Sequence, residues 1–112
     1  MLILFELFMG NVYLIGEMDN ANRYKIGVSN QKKTEKRMKE LQTGNSDELY
    51  IRYTFETDKP FKLENFLHRH YSKNHILNEW FELDEKEAKE FPNICKKYQN
   101  IIDSLKNNPF YK

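Results

Sequence analysis

Tyr13, Lys25, Arg37 and Glu64 follow one another along the chain: a phenol, an ammonium, a guanidinium and a carboxylate, the kinds of group that act together on a phosphodiester. Tyr13 lies in the run Asn11-Val12-Tyr13-Leu14-Ile15 and Lys25 in Tyr24-Lys25-Ile26-Gly27-Val28. If each run is a strand, its side chains alternate between two faces, so Tyr13 shares a face with Asn11 and Ile15, and Lys25 shares one with Arg23 and Gly27. The polar and small residues from Glu17 to Asn22 can close a hairpin between them. Phe61, Glu64, His68 and Tyr71 fall on one helical stripe beside Leu63, Phe66, Leu67 and His70, which sets Glu64 at the rim of an apolar face. An unpaired carboxylate there is costly and calls for a cation. Mg²⁺ or Mn²⁺, held through one or two carboxylates plus water and phosphate oxygens, would serve; so would an ordinary ion pair with Lys or Arg. His68, one turn further on, reads as a second ligand, a proton carrier or a phosphate contact, or as a hydrogen-bonded helical histidine.

The elements that must position these groups are legible in outline. Lys33 to Gln42 reads as a first helix, with Thr43-Gly44-Asn45 as its stop. Leu49, Ile51, Tyr53 and Phe55 alternate with Tyr50, Arg52, Thr54 and Glu56, the signature of a third strand with one face in the core. Pro60 opens a second helix that runs to about Tyr71, since the N–H proline lacks has no partner in the first helical turn. Trp80-Phe81 reads as a short strand with both rings in the core, and Glu79 as a cap or ion-pair partner. Asp84 with Glu87 then begins a helix carrying the stripe Ala88, Phe91, Ile94, Cys95, Tyr98, Ile101, Ile102 and Leu105. Pro92 should kink that helix or split it in two.

Composition bounds the alternatives. With 112 residues, 39% of them hydrophobic and 14% aromatic, the chain can bury one real core, so a single domain 1–112 is expected and disorder is not. The net charge of +1 decides nothing, but seven of the eight charged residues from Arg23 to Lys39 are basic, which places a positive patch, or a merely solvated helix face, beside Lys25 and Arg37. The single Cys95 cannot form an intrachain disulfide and falls on an apolar stripe, so an intracellular, cytoplasmic protein is expected. Residues 1–8 are apolar but too short to span a bilayer and are interrupted by Glu6, so no membrane partner is expected. Met9 reads as an alternative start, leaving residues 1–8 as an extra strand or a dimerising extension.

Six blocks, Val12-Tyr13-Leu14-Ile15, Tyr24-Lys25-Ile26-Gly27, Glu35-Lys36-Arg37-Met38, Leu41-Gln42-Thr43-Gly44-Asn45, Leu63-Glu64-Asn65-Phe66-Leu67-His68 and Glu79-Trp80-Phe81, run in colinear order through residues 10–84. In that order they resemble the GIY-YIG endonuclease superfamily, and within it the bacteriophage and large-virus branch, also known from a meiotically up-regulated fungal protein. The resemblance implies an α+β fold with a three-stranded antiparallel sheet flanked by helices over residues 10–84, and a C-terminal helical extension over 85–107. It implies DNA as partner, with a second copy or a targeting protein to add contacts. Tyr13 then stands for the tyrosine of the first motif, Arg37 for the helix arginine and Glu64 for the single acidic metal ligand. Lys25 replaces the usual tyrosine of the second motif, Gln31-Lys32-Lys33 reads as an insertion, and Asn78 is the candidate for the late asparagine.

On this reading Tyr13, Lys25, Arg37 and His68 are the catalytic set, and Arg23, Tyr24, Gly27, Lys32, Lys33 and Lys36 contact phosphate. Lys25 would favour the phenolate and bring Tyr13 into range as general base. Gly27 would leave room for a backbone phosphate. Arg37 would grip two phosphate oxygens, and a metal on Glu64 would act as Lewis acid. The expected activity is hydrolysis of DNA by a small metal-dependent endonuclease. A DNA-binding domain without strong hydrolysis and a protein-interaction domain are the alternatives.

Overall fold

In a computed structural model of the chain, which describes residues 9–30, 34–44 and 47–106, the apolar runs assemble into one sheet covered on both faces. The elements are β1 (Gly10–Glu17), β2 (Asn20–Asn30), α1 (Thr34–Thr43), β3 (Leu49–Thr57), α2 (Pro60–His70), a 3-10 turn (Ser72–Asn74), β4 (His75–Leu77), β5 (Trp80–Glu82) and α3 (Glu85–Lys106). The sheet is antiparallel with strand order β3-β1-β2-β5-β4. It is α+β, as expected, but has five strands where three were expected. Of the two further strands, β5 is the short strand read at Trp80-Phe81, and β4 forms a hairpin with it; arms of three residues are too short to display an alternating pattern. The hairpin turn uses Asn78 at φ 53, a left-handed conformation that asparagine tolerates.

β1 is buried along its whole length because it lies between β2 and β3 with helices on either side. Its even-numbered side chains, Val12 and Leu14, join Ile26, Leu63, Leu67, Phe81, Phe91 and Cys95 in the larger core beneath α2 and α3. Its odd-numbered ones, Tyr13 and Ile15, join Leu49 and Trp80 in a second cluster, with Met38 and Leu41 of α1 packed against it. The alternation in β3 does not keep one face throughout. Leu14 pairs with Tyr53 and Ile15 with Ile51, so Arg52 is an extra residue in the ladder, and this bulge sends Leu49 and Ile51 to the Tyr13 face but Tyr53 and Phe55 to the other. Period two alone put all four on one side.

The start of α3 is fixed by the residues the sequence suggested. The Glu87 amide donates to Asp84 Oδ1 at 2.7 Å and the Asp84 amide to Glu87 Oε1 at 3.1 Å, a reciprocal capping box at the start of α3. Pro92 sits inside α3, which runs as one helix rather than a pair. At the end of α1, Gln42 Nε2 donates to the Asp47 carbonyl and its Oε1 accepts the Leu49 amide, both at 2.7 Å, pinning α1 to the start of β3. The glutamine of the Leu41-Gln42-Thr43-Gly44 block thus holds the helix that carries Arg37.

Candidate active site

Tyr13 pairs directly with Gly27 across the β1–β2 ladder. A methyl group on Gly27 would lie 2.6 Å from Tyr13 Cζ and 2.8 Å from Cε1, so the hydroxyl end of the phenol occupies the space beside the glycine. The room on that face belongs to Tyr13 rather than to a phosphate. The ring is 1% exposed, and the Arg37 guanidinium on α1 comes near enough to its hydroxyl to act on the phenol. Burial pushes the phenol above its ordinary value; Arg37 pulls it back in part, while the carboxylates of Glu79 and Glu64 push it further up. Lys25 does not stabilise a phenolate as expected. One step along the ladder, opposite Ile15, its ammonium reaches Glu79 Oε2 at 3.3 Å and lies 5.7 Å from the centre of the Trp80 ring.

β5 pairs with β2 only from Arg23 to Lys25, and α2 reaches the β2 backbone just beyond that point. His68 Nε2 lies 3.0 Å from the Ile26 carbonyl, to which its N–H donates, and 4.0 Å from Glu64 Oε2. The imidazole is therefore anchored to the strand and packed 5.1 Å from the Phe81 ring, so it positions the neighbouring glutamate. Glu64, with its side chain 14% exposed, has no Lys or Arg nitrogen within 4 Å among the described residues. Burial raises its carboxyl above the ordinary range, and the Glu79 charge adds to this, against the opposing pull of His68 and Lys25. Tyr13 thus lies within electrostatic reach of Arg37, Glu79 and Glu64, and Glu64 within reach of His68, Glu79 and Lys25. Glu79 was missed as a member of the site. Its place next to Trp80, the strand partner of Lys25, was the available signal.

Other residues expected to touch phosphate lie elsewhere or are engaged. Arg23 Nε is 2.6 Å from Glu17 Oε1, a buried acid, and its guanidinium lies 5.0 Å from the Trp80 ring centre. Tyr24 is on the opposite face in the larger core, its hydroxyl accepting from Arg52 Nη1 at 2.7 Å. Lys36 is exposed and lines a cleft of about 370 Å³ with Arg37, Glu40, Val28, Pro60 and Phe61. Lys32 and Lys33, like residues 1–8 and Asn45, lie outside the described residues. Asn78 is spent on the β4–β5 turn, where its carbonyl accepts from His75 Nε2 at 2.7 Å.

No group of three or more His, Cys, Asp or Glu side chains that could cage an ion occurs among the described residues. What is present is a half-buried carboxylate with no Lys or Arg nitrogen within 4 Å among the described residues, and a second carboxylate, Glu79, nearby. That donor set suits a hard divalent ion completed by waters and substrate oxygens, as Mg²⁺ prefers, and does not suit Zn²⁺ held in an all-protein shell.

Fold and site together define a small α+β domain with an acid, a phenol and a guanidinium gathered on one flank of its sheet. The T5orf172 domain family matches residues 10–96, and the chain belongs to it, a family of small DNA-related domains. This match corrects the assignment by resemblance: the ordered blocks mark T5orf172 membership and not the GIY-YIG superfamily. No curated protein and no solved structure matches the chain. No helix among the described residues is long and apolar enough to cross a membrane.

Proposed function

We propose that this protein is a divalent-metal-dependent endonuclease that hydrolyses DNA phosphodiester bonds at the Tyr13, Arg37 and Glu64 cluster. The observation that carries the reading is Glu64: a carboxylate withdrawn from solvent, raised by burial, with no Lys or Arg nitrogen within 4 Å among the described residues, and close enough to the Tyr13 phenol to act on it. A purely structural glutamate would be exposed or paired.

Each residue has a task that its surroundings permit. The Arg37 guanidinium, at the mouth of the cleft, binds phosphate oxygens with its planar fork and orients the Tyr13 hydroxyl. Tyr13 Oη, in its phenolate form, takes the proton of the attacking water as the new O–P bond forms and the bond to the leaving oxygen breaks. Lys25 and Glu79 hold each other at the edge of the site, and the Lys25 charge offsets part of the negative field around Glu64. His68 anchors α2 to β2 and so fixes where Glu64 sits. Glu64 would hold a Mg²⁺ or Mn²⁺ ion, which would supply Lewis acidity to the reaction.

Nicking of supercoiled plasmid with Mg²⁺, with Mn²⁺ and with EDTA tests this. Cleavage should require the metal and fall by at least about a hundredfold in Glu64→Gln and in Tyr13→Phe, with DNA affinity retained. A second reading, DNA binding without hydrolysis, draws support from the raised Tyr13 phenol and from the engagement of Lys25 with Glu79. Retardation of DNA by the wild type with no nicked product in either metal would establish it and end the endonuclease reading.

A further inference from the structure

Phe61 is the most exposed large apolar side chain among the described residues, at 69%, although it stands on the same stripe of α2 as Glu64. It borders the cleft of about 370 Å³ whose other walls include Arg37 and Lys36 of α1 and the aliphatic surface of Val28 and Pro60. Glu40 also lines it and pairs with Arg37 Nη1 at 3.4 Å, a contact between two half-exposed side chains that solvent screens. An isolated exposed phenylalanine needs no explanation. One that forms the wall of a cleft with a guanidinium and an ammonium opposite has the composition of a nucleotide site, in which a flat apolar surface takes the base and the cations take its phosphate.

The cleft is large enough for a small ligand. Residues three apart on a helix have Cβ atoms about 5–6 Å apart, so a ring stacked on Phe61 brings its adjoining phosphate to the neighbourhood of Glu64 and Arg37. Duplex DNA does not offer a base face, because both faces of each base are stacked within the helix. A base must be unpaired, or turned out of the stack, to lie on an aromatic side chain.

We infer that Phe61 is a stacking platform for an unpaired base, so that the substrate class of this site is DNA with a single-stranded segment, as in a strand end, a fork or a flap, rather than continuous duplex. The inference rests on the proposed action on DNA at Glu64 and deepens it. It accounts for how a chain of net charge +1 could engage DNA, since base stacking supplies attraction that does not depend on a large positive surface.

The test separates binding from cleavage. Fluorescence anisotropy in EDTA, with a labelled oligothymidine and a blunt duplex of equal length, should show the wild type preferring the single strand. Phe61→Ala should weaken single-strand binding by roughly ten- to a hundredfold and change duplex binding little, while Phe61→Trp restores it. The indole of Phe61→Trp should lose fluorescence on adding oligothymidine, in excess of any change at the native Trp80. Equal affinity of wild type and Phe61→Ala for the single strand, equal loss on both DNAs, or no binding by the wild type overturns the inference. Cleavage is read separately, in Mg²⁺: a Phe61-dependent single-strand preference without product removes the nuclease reading and leaves the platform, and product without that dependence does the reverse.

Discussion

Gly27→Ala tests how the site is built, because the sheet can accept a methyl group there only by displacing Tyr13. The added carbon would stand 2.6 Å from Cζ and 2.8 Å from Cε1 of the phenol, well inside contact distance. The ring cannot swing clear without disturbing Ile15, Leu49 and Trp80, with which it is packed, or breaking its link to Arg37. Overpacking of this kind costs about 1–3 kcal/mol, a sizeable part of the roughly 5–15 kcal/mol that holds a small domain folded. Urea denaturation followed by circular dichroism should show that loss as a lower midpoint with an unchanged slope. In a Tyr13→Leu background, where the side chain ends before the position of Cζ, the same glycine substitution should cost much less, giving a coupling of about 1–3 kcal/mol between the sites. Metal-dependent cleavage should fall in Gly27→Ala even where the protein remains folded, since the phenol has moved. A Gly27→Ala protein with wild-type midpoint and activity, or a penalty that persists in full beside Tyr13→Leu, would refute the argument that Gly27 exists to seat the ring.

Glu64→Gln should raise the metal-free melting temperature at pH 7: a carboxyl held above its ordinary value favours folding while protonated, and that contribution is lost as pH rises through its folded value. The gain should therefore disappear near pH 4, and calorimetry across that range checks the sign. Mg²⁺ at a hundred times its dissociation constant should stabilise the wild type by about 2.7 kcal/mol and leave Glu64→Gln unmoved. Because burial dominates the Tyr13 phenol and raises it, single-turnover cleavage should climb about tenfold per pH unit from pH 7 to 9 without levelling, and Tyr13→Phe should abolish that slope. Arg52→Met leaves the buried Tyr24 hydroxyl, which Arg52 Nη1 serves at 2.7 Å, with only the 3.5 Å contact to the Tyr50 hydroxyl, removes the ion pair with Glu85, and should lower stability by about 1–3 kcal/mol in urea titrations without altering DNA binding.

The local chemistry of the chain wrote most of its secondary structure. Apolar runs with β-branched and aromatic residues made β1, β2 and β3; Pro60 and the Asp84/Glu87 pair marked helix starts; and the stripe from Ala88 to Leu105 made α3. Alternation along β2 also placed Lys25 and Gly27 on one face, because that parity depends only on position in a strand, whereas the register that pairs Tyr13 with Gly27 puts the phenol on the same face. It could not reveal the bulge at Arg52, which needs the partner strand to define two residues opposite one. Nor could it reveal β4, which is held by pairing with β5, itself paired to β2, rather than by any pattern of its own.

Which residue types were present and their order were set by the sequence itself: the phenol, guanidinium, carboxylate and basic segment were visible before any folding. Who neighbours whom was a tertiary decision. Arg37 reaches Tyr13 because α1 is laid across the second face, Lys25 is turned to Glu79 by the strand pairing at Trp80, Arg23 is drawn to a buried Glu17, and Glu64 has its raised carboxyl because α2, anchored to β2 through His68, packs it against the sheet. Charge and ionisation depend on separations of a few ångströms between residues far apart in the chain, and only packing fixes those separations.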